Sequence, residues 1–214
     1  MDVKPVHLGV LLSGSGRTLQ NFIDRIEAGT LPATLSVVIG SKPGVKGLER
    51  AAKAGIDCYP VDRRRYADPA AHSEAINEIL TRYEIDLIVL AGYMHLYDYP
   101  AAFEGRVMNI HPALIPSFCG KGYYGHRVHE AVLAAGVKVS GCTVHFVDEQ
   151  YDHGAIIVQK TVPVLEGDDP ATLAARVFEA ECEAYPEAIR LFAEGRLRIE
   201  QGRVHILSRG KEGL

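Results

Sequence analysis

Val6-His7-Leu8-Gly9-Val10-Leu11-Leu12 is a short apolar run that breaks at Ser13-Gly14-Ser15-Gly16. Beyond the break, Leu19, Phe22, Ile23 and Ile26 recur at helical spacing. This is a strand, a glycine-rich turn and a helix, and the pattern repeats downstream. Leu35 to Ile39 reads as a second buried strand, ended by Gly40-Ser41-Lys42-Pro43-Gly44. Leu48, Ala51, Ala52 and Ala54 then fit a helix stopped by Gly55. Asp57 to Val61 is a third strand candidate. Pro69 to Tyr83 predicts another helix, with Asp68 as N-cap and Pro69 at the first helical position. Leu87-Ile88-Val89-Leu90-Ala91 is continuously apolar, which suits a strand covered on both faces. Strands alternating with helices predict the α/β class: a Rossmann-like, mostly parallel sheet flanked by helices. Such sheets bind ligands at the carboxyl ends of their strands. That rule selects the turn at Ser13 to Gly16, the turn at Gly40 to Gly44, and the segment after Ala91.

The second half of the chain reads differently. Arg106 to Asn109 is a short strand, and Tyr124 to Ala135 an amphipathic helix ended by Gly136. Val139 to Val147 and Ile156 to Val164 are longer strands with Gly154 at the turn between them. A C-terminal extension follows: Pro170 to Phe192 is helical, with a bend expected near Pro186, and Leu197 to Ile199 and Val204 to Ile206 flank Gln201-Gly202 as a hairpin. No repeat, low-complexity tract or linker divides the chain. Residues 1–214 therefore read as a single domain with two halves, 1–105 and 106–214.

A chain of 214 residues buries roughly 70% of its unfolded surface and needs no staples. The formal net charge of -4 argues against nucleic acid as a partner. Arg63-Arg64-Arg65 reads as a solvated loop. Cys58, Cys119, Cys142 and Cys182 are scattered, with no C-x-x-C pair and no Cys/His spacing that fits a zinc site. Free thiols in a reducing cytoplasm account for them. Met1-Asp2-Val3-Lys4-Pro5 lacks the apolar core of a leader. No apolar run approaches the ~20 residues of a membrane span.

Four constellations carry chemistry. Ser13 to Gly16 opens a helix, whose free N–H groups and dipole attract anions. The turn lacks the third glycine of a dinucleotide fingerprint and the lysine of a P-loop, so a phosphomonoester fits it better than a pyrophosphate. Arg17 and Thr18 add a charge and a hydroxyl. A bare strand-to-helix turn fits the same residues. Asn109 and His111 lie two apart at a strand end, so both side chains face one way. An amide stabilises an oxyanion and an imidazole shuttles a proton; alternatively, the pair makes local hydrogen bonds. Asp152 precedes a glycine turn, where an aspartate often satisfies its own backbone. Held beside His111 it would favour the imidazolium. Thr143, His145 and Val147 share one face of their strand, and His145 reads as a hydrogen-bonded support. Leu90 to Tyr97 is apolar and aromatic, as either core packing or a slot for a flat ring demands.

Together these residues resemble the phosphoribosylglycinamide formyltransferase family, over about Val6 to Arg198. Asn109-Ile110-His111-Pro112-Ala113-Leu114-Ile115-Pro116, Gly141-Cys142-Thr143-Val144-His145-Phe146-Val147-Asp148 and the following Asp152 match the family signature in order and spacing. Leu90-Ala91-Gly92-Tyr93-Met94 resembles its folate-pocket segment, and Ser13-Gly14-Ser15-Gly16 with Leu19-Gln20 its phosphate turn. The resemblance implies a formyltransferase fold, with a phosphate-binding first half and a catalytic, folate-binding second half. It implies Asn109, His111 and Asp152 as catalytic residues, supported by Thr143 and His145. Ser15, Gly16, Arg17, Thr18 and Gly92 would meet the ribonucleotide, and Glu181 its ribose. Met94, His95, Leu96, Tyr97, Val107, Val147 and Asp148 would line the folate pocket. The family commonly has Ser-Asn where this chain has Arg17-Thr18, and a frequent arginine where it has His95. Phe118 to Gly125 is longer than in the shortest members.

The implied reaction moves the formyl group of 10-formyltetrahydrofolate, a co-substrate, onto the amine of glycinamide ribonucleotide in purine synthesis. No metal, nucleic acid or membrane is implied; the expected state is a cytoplasmic monomer or homodimer. Two rivals share the signature. Formyltetrahydrofolate deformylase usually carries an extra N-terminal domain, and methionyl-tRNA formyltransferase an extra C-terminal one, so length favours the transfer to the ribonucleotide. A non-catalytic nucleotide- or folate-binding module would explain the strands and the glycine turn, but not the Asn109, His111 and Asp152 combination.

Overall fold

The computed structural model describes residues 4–208. Residues 1–3, part of the stretch read above for leader character, and residues 209–214 lie outside the description. Seven strands form one sheet: β1 (Val6–Leu12), β2 (Ala33–Gly40), β3 (Cys58–Pro60), β4 (Leu87–Leu90), β5 (Val107–His111), β6 (Val139–Phe146) and β7 (Ile156–Pro163). Their order is β3-β2-β1-β4-β5-β6-β7. The first five run parallel; β6 and β7 are antiparallel to their neighbours. Both halves of the chain therefore share one sheet, joined at the β4–β5 pair. The helices are α1 (Arg17–Glu27), α2 (Lys46–Lys53), α3 (Pro69–Leu80), α4 (His126–Ala134) and α5 (Pro170–Ala193). A two-stranded hairpin, β8 (Leu197–Glu200) and β9 (Arg203–Ile206), completes the predicted extension.

The sheet is buried on both faces, as its continuous apolar strands require. On one side, Leu19, Phe22 and Ile23 of α1, Val128 and Val132 of α4, and Leu173 to Leu191 of α5 join Leu8, Val10, Val89, Met108 and Val144. On the other, Ile76 and Leu80 of α3 pack with Leu11, Ile39, Ile88, Tyr93 and Tyr97. Asp68 caps α3 by accepting from the Ala71 N–H at 2.8 Å, and Pro69 starts it.

Several boundaries differ from the sequence reading. β5 ends at His111, two residues later than expected, because Ile110 and His111 still pair with Val144 and Thr143. α4 starts at His126 because Gly125, at φ 51° and ψ -134°, leaves the helical region. Arg63–Arg65 forms a short 3₁₀ turn capped by Asp62, which also holds the Arg64 guanidinium at 2.7 Å. α5 runs through Pro186 without ending. A proline cannot donate to the carbonyl four residues back. The Cys182 oxygen thus orphaned accepts instead from Asn21 Nδ2 of α1, at 3.0 Å.

β1 is where the strand order reverses: β2 lies on one side of it and β4 on the other. Such switch points open a crevice at the strand ends. Here Ser13 N–H donates to Gly92 O at 3.1 Å, and Ser13 Oγ accepts from the Met94 N–H at 3.0 Å. The glycine turn and the segment after β4 thereby become two walls of one crevice.

Candidate active site

Asn109 and His111 alternate on β5, so the pleat turns both side chains to one face. β6 lies beside them and puts His145 opposite Asn109. The β6–β7 connection then brings in Asp152, whose backbone sits at φ 54°, a left-handed conformation that aspartate tolerates better than most residues. The adjoining Gly154 makes room: a Cβ there would lie 1.9 Å from Phe146 O.

These residues converge. His111 Nδ1 lies 3.3 Å from Asp152 Oδ2, and Asn109 Nδ2 donates to Asp152 Oδ1 at 3.3 Å. His111 is only 3% exposed, so a polar ring there must be satisfied by protein. Its Nε2 donates to Phe118 O at 2.8 Å. Both ring nitrogens thus face oxygen atoms, Nε2 in a hydrogen bond to Phe118 O and Nδ1 in close contact with the Asp152 carboxylate. The backbone N–H of Gly120 donates to Asp152 Oδ2 at 2.9 Å. The 118–120 segment therefore clasps the histidine and the aspartate together.

His145 plays a different part. Its Nδ1 donates to Phe146 O at 2.7 Å, leaving Nε2 to accept from Asn109 Nδ2 at 3.2 Å. Burial pushes its pKa below the ordinary histidine value, consistent with a neutral ring. Thr143, fully buried, donates to Ala113 O at 2.7 Å and accepts from the Ile115 N–H at 3.1 Å. It pins the chain just past His111 without reaching the cavity.

The trio faces a cavity of about 510 Å³. Its walls include Ser15, Gly16, Arg17 and Thr18, then Gly92, Met94, His95, Leu96 and Tyr97, then Val147 and Asp148, and Glu181 on α5. Val107 requires a correction. It is 1% exposed, absent from the wall, and packed in the cluster that holds Tyr93 and Tyr97. Alternation gives it the face of Asn109, but at its depth that face is covered by its cluster, Tyr93 and Tyr97 among them. Asp148 is tied to its own loop, accepting from Gln150 N–H at 2.9 Å and pairing with His153 at 2.7 Å.

At the glycine turn the two glycines serve different needs. Gly16 sits at φ 69°, and a Cβ on it would lie 2.5 Å from Gly47 Cα. Gly14 faces open space. α1 has no side-chain cap, so its first N–H groups are left for a ligand. Burial pushes the Glu181 carboxyl up to about 7, and Arg17 works against that shift.

Sequence reasoning missed four contributors. Phe118 and Gly120 act through backbone atoms, which leave no side-chain signature. His129 lines the cavity from α4; burial pushes it down to about 4, and its Nδ1 lacks a partner. Phe178 lies one helical turn before Glu181 and carries the Arg17 guanidinium 4.0 Å above its ring. The three-residue spacing from Glu181 was the available signal for it.

A family model described as formyl transferase matches residues 6–189. Phosphoribosylglycinamide formyltransferase of Haemophilus influenzae is 37% identical over 201 residues, 93% of this chain and 92% of its own. The trifunctional purine biosynthetic protein adenosine-3 of Gallus gallus is 41% identical over 207 residues, 95% of this chain. This chain spans only 20% of that protein's length. The crystal structure of glycinamide ribonucleotide transformylase 1 from Symbiobacterium toebii superposes with a TM-score of 0.89 at 47% identity, covering 95% of both chains. A formyltetrahydrofolate deformylase from Pseudomonas syringae, at 22% identity and a TM-score of 0.83, shares the fold. A family model over most of the chain, a Haemophilus influenzae relative matched nearly end to end and a solved structure of the same architecture lead to one assignment: this chain belongs to the formyl transferase family, among the phosphoribosylglycinamide formyltransferases.

Proposed function

We propose that this chain transfers the formyl group of 10-formyltetrahydrofolate to the amine of glycinamide ribonucleotide, with Asn109, His111 and Asp152 performing the chemistry. One observation carries the reading. An amide, an imidazole and a carboxylate from distant segments meet within 3.3 Å contacts on the wall of a cavity that also holds an uncapped, glycine-rich helix start.

Held in one cleft, the amine attacks the formyl carbon. Good alignment of two bound reactants is worth roughly 7–11 kcal/mol. The C–N bond to the ribonucleotide forms and the carbonyl oxygen becomes an oxyanion. His111, placed beside Asp152 on the cavity wall, stabilises that charge. Asn109 contributes when one of its two N–H bonds, now spent on His145 and Asp152, turns into the cavity. Asp152 accepts the proton shed by the attacking nitrogen, and its 3.3 Å contact with His111 keeps the imidazole in place. As the intermediate collapses, the C–N bond to the carrier breaks and the folate nitrogen takes up a proton. The net traffic is one formyl group one way and one proton the other. Ser15 to Thr18 and Glu181 hold the ribonucleotide; Met94 to Tyr97, Val147 and Asp148 flank the folate ring.

The test is direct. The purified chain is incubated with both substrates and tetrahydrofolate release is followed by absorbance, with and without the ribonucleotide. Release that requires the ribonucleotide supports the transfer. Release without it indicates hydrolysis, and binding without release indicates a module; either result overturns the proposal.

A further inference from the structure

Arg17 opens α1 and is exposed at the cavity, with no hydrogen bond or ion pair among the described residues. Its five N–H donors are unspent. Yet it is not loose: its guanidinium carbon rests 4.0 Å from the centroid of the Phe178 ring on α5. The N-terminus it starts lacks a side-chain cap. α1 and α5 are tied together by Asn21 Nδ2 donating to Cys182 O at 3.0 Å, one turn further along both helices. The ring is therefore held at a fixed distance from the turn.

We propose that Phe178 is a positioning residue for the ribonucleotide's phosphomonoester, acting through Arg17. The proposal rests on the ribonucleotide reading of the Ser13–Thr18 turn. A guanidinium lying on a ring offers its flat face to the π-cloud and keeps its N–H donors in its own plane. An arginine normally loses rotamer freedom when an anion captures it. A stacked arginine has lost that freedom already, so less binding energy is spent on ordering it. The cation also stands beside the orphan N–H groups of α1, so both sources of positive charge point at one volume. Lysine has no planar face to rest on the ring, so it cannot replace Arg17 here.

The full chain is titrated calorimetrically with glycinamide ribonucleotide, alongside steady-state formyl transfer. Phe178→Ala is expected to raise the ribonucleotide Kd and KM about three- to tenfold, with kcat and the folate KM moved far less. Phe178→Tyr keeps the ring and restores the affinity. In an Arg17→Ala background, Phe178→Ala adds less than about twofold, because the two act as one unit. The inference is overturned if Phe178→Ala leaves Kd unchanged, if it costs as much without Arg17, or if kcat falls and the folate KM rises to the same extent. If Arg17→Ala itself leaves the ribonucleotide Kd unchanged, the placement of the phosphate fails as well. If Arg17→Ala weakens binding and Phe178→Ala does not, only the role of Phe178 falls.

Discussion

At the trio, the polar groups of β5 and the β6–β7 connection already have partners: His111 with Asp152 and Phe118 O, Asp152 with Asn109 and Gly120 N–H, Asn109 with His145. At the glycine turn, the helix start is uncapped and Arg17, resting on the Phe178 ring, makes no hydrogen bond among the described residues. The difference matches what the proposed function asks of each end. Groups that handle protons need fixed partners before the reactants arrive, because preorganised dipoles need no reorganisation during the reaction. Groups that grip an anion gain most when their donors are left unspent. The first end must give up a bond to work; the second must receive one.

The contrast is most severely tested at the carboxylate. Asp152→Asn should lower turnover by about 10³-fold, with both Michaelis constants within a few-fold of the parent. A near-normal rate in the absorbance assay would remove Asp152 from the proton path. Next comes Asn109→Ala, expected to cost about 10²-fold in turnover through loss of an oxyanion donor. A change confined to KM would mean that the amide only shapes the pocket. At the open end, Arg17→Ala should raise the ribonucleotide KM about tenfold and spare turnover. It should also shrink the thermal stabilisation given by inorganic phosphate. Equal phosphate stabilisation of both proteins would contradict an anion site at the turn. The smallest effect is on stability. The Glu181 carboxyl is raised from 4.5 to about 7, so the unfolded chain ionises first as pH rises. Folding stability should decline as pH climbs through that window and level off above it. Glu181→Gln should flatten the decline in Tm; an unchanged slope would show that Glu181 does not titrate there.

Much of this was legible in the residues. The apolar runs and the punctuating glycines give the parallel strands, since strands buried on both faces have little freedom of composition. The two-residue spacing of Asn109 and His111 gives their common face. Val107 came from the resemblance and not from spacing; it lies deeper on the same strand, packed with Tyr93 and Tyr97 and away from the cavity wall. The clasp at Phe118 and Gly120 was illegible for another reason: it is made by backbone groups, which any residue carries. Arg17 and Phe178 lie far apart in sequence, and only the packing of α1 on α5 reveals them as a pair. Tyr185, whose buried hydroxyl donates to Met108 O at 2.8 Å, likewise tethers α5 to the strand ends in a way no motif announces.

Pro186 has no N–H for the Cys182 oxygen four residues back on α5, and Asn21 donates to that oxygen from outside. An interruption in one helix has become a joint between two. Because Asn21 follows Arg17 by one turn, and Cys182 follows Phe178 by one turn, this joint sets the gap across which cation and ring meet. On the proposed reading, the gauge of the anion site is thus set by an imino acid outside the cavity wall. Restoring an amide N–H at position 186 would mend the helix and, by freeing Asn21, unfasten the wall.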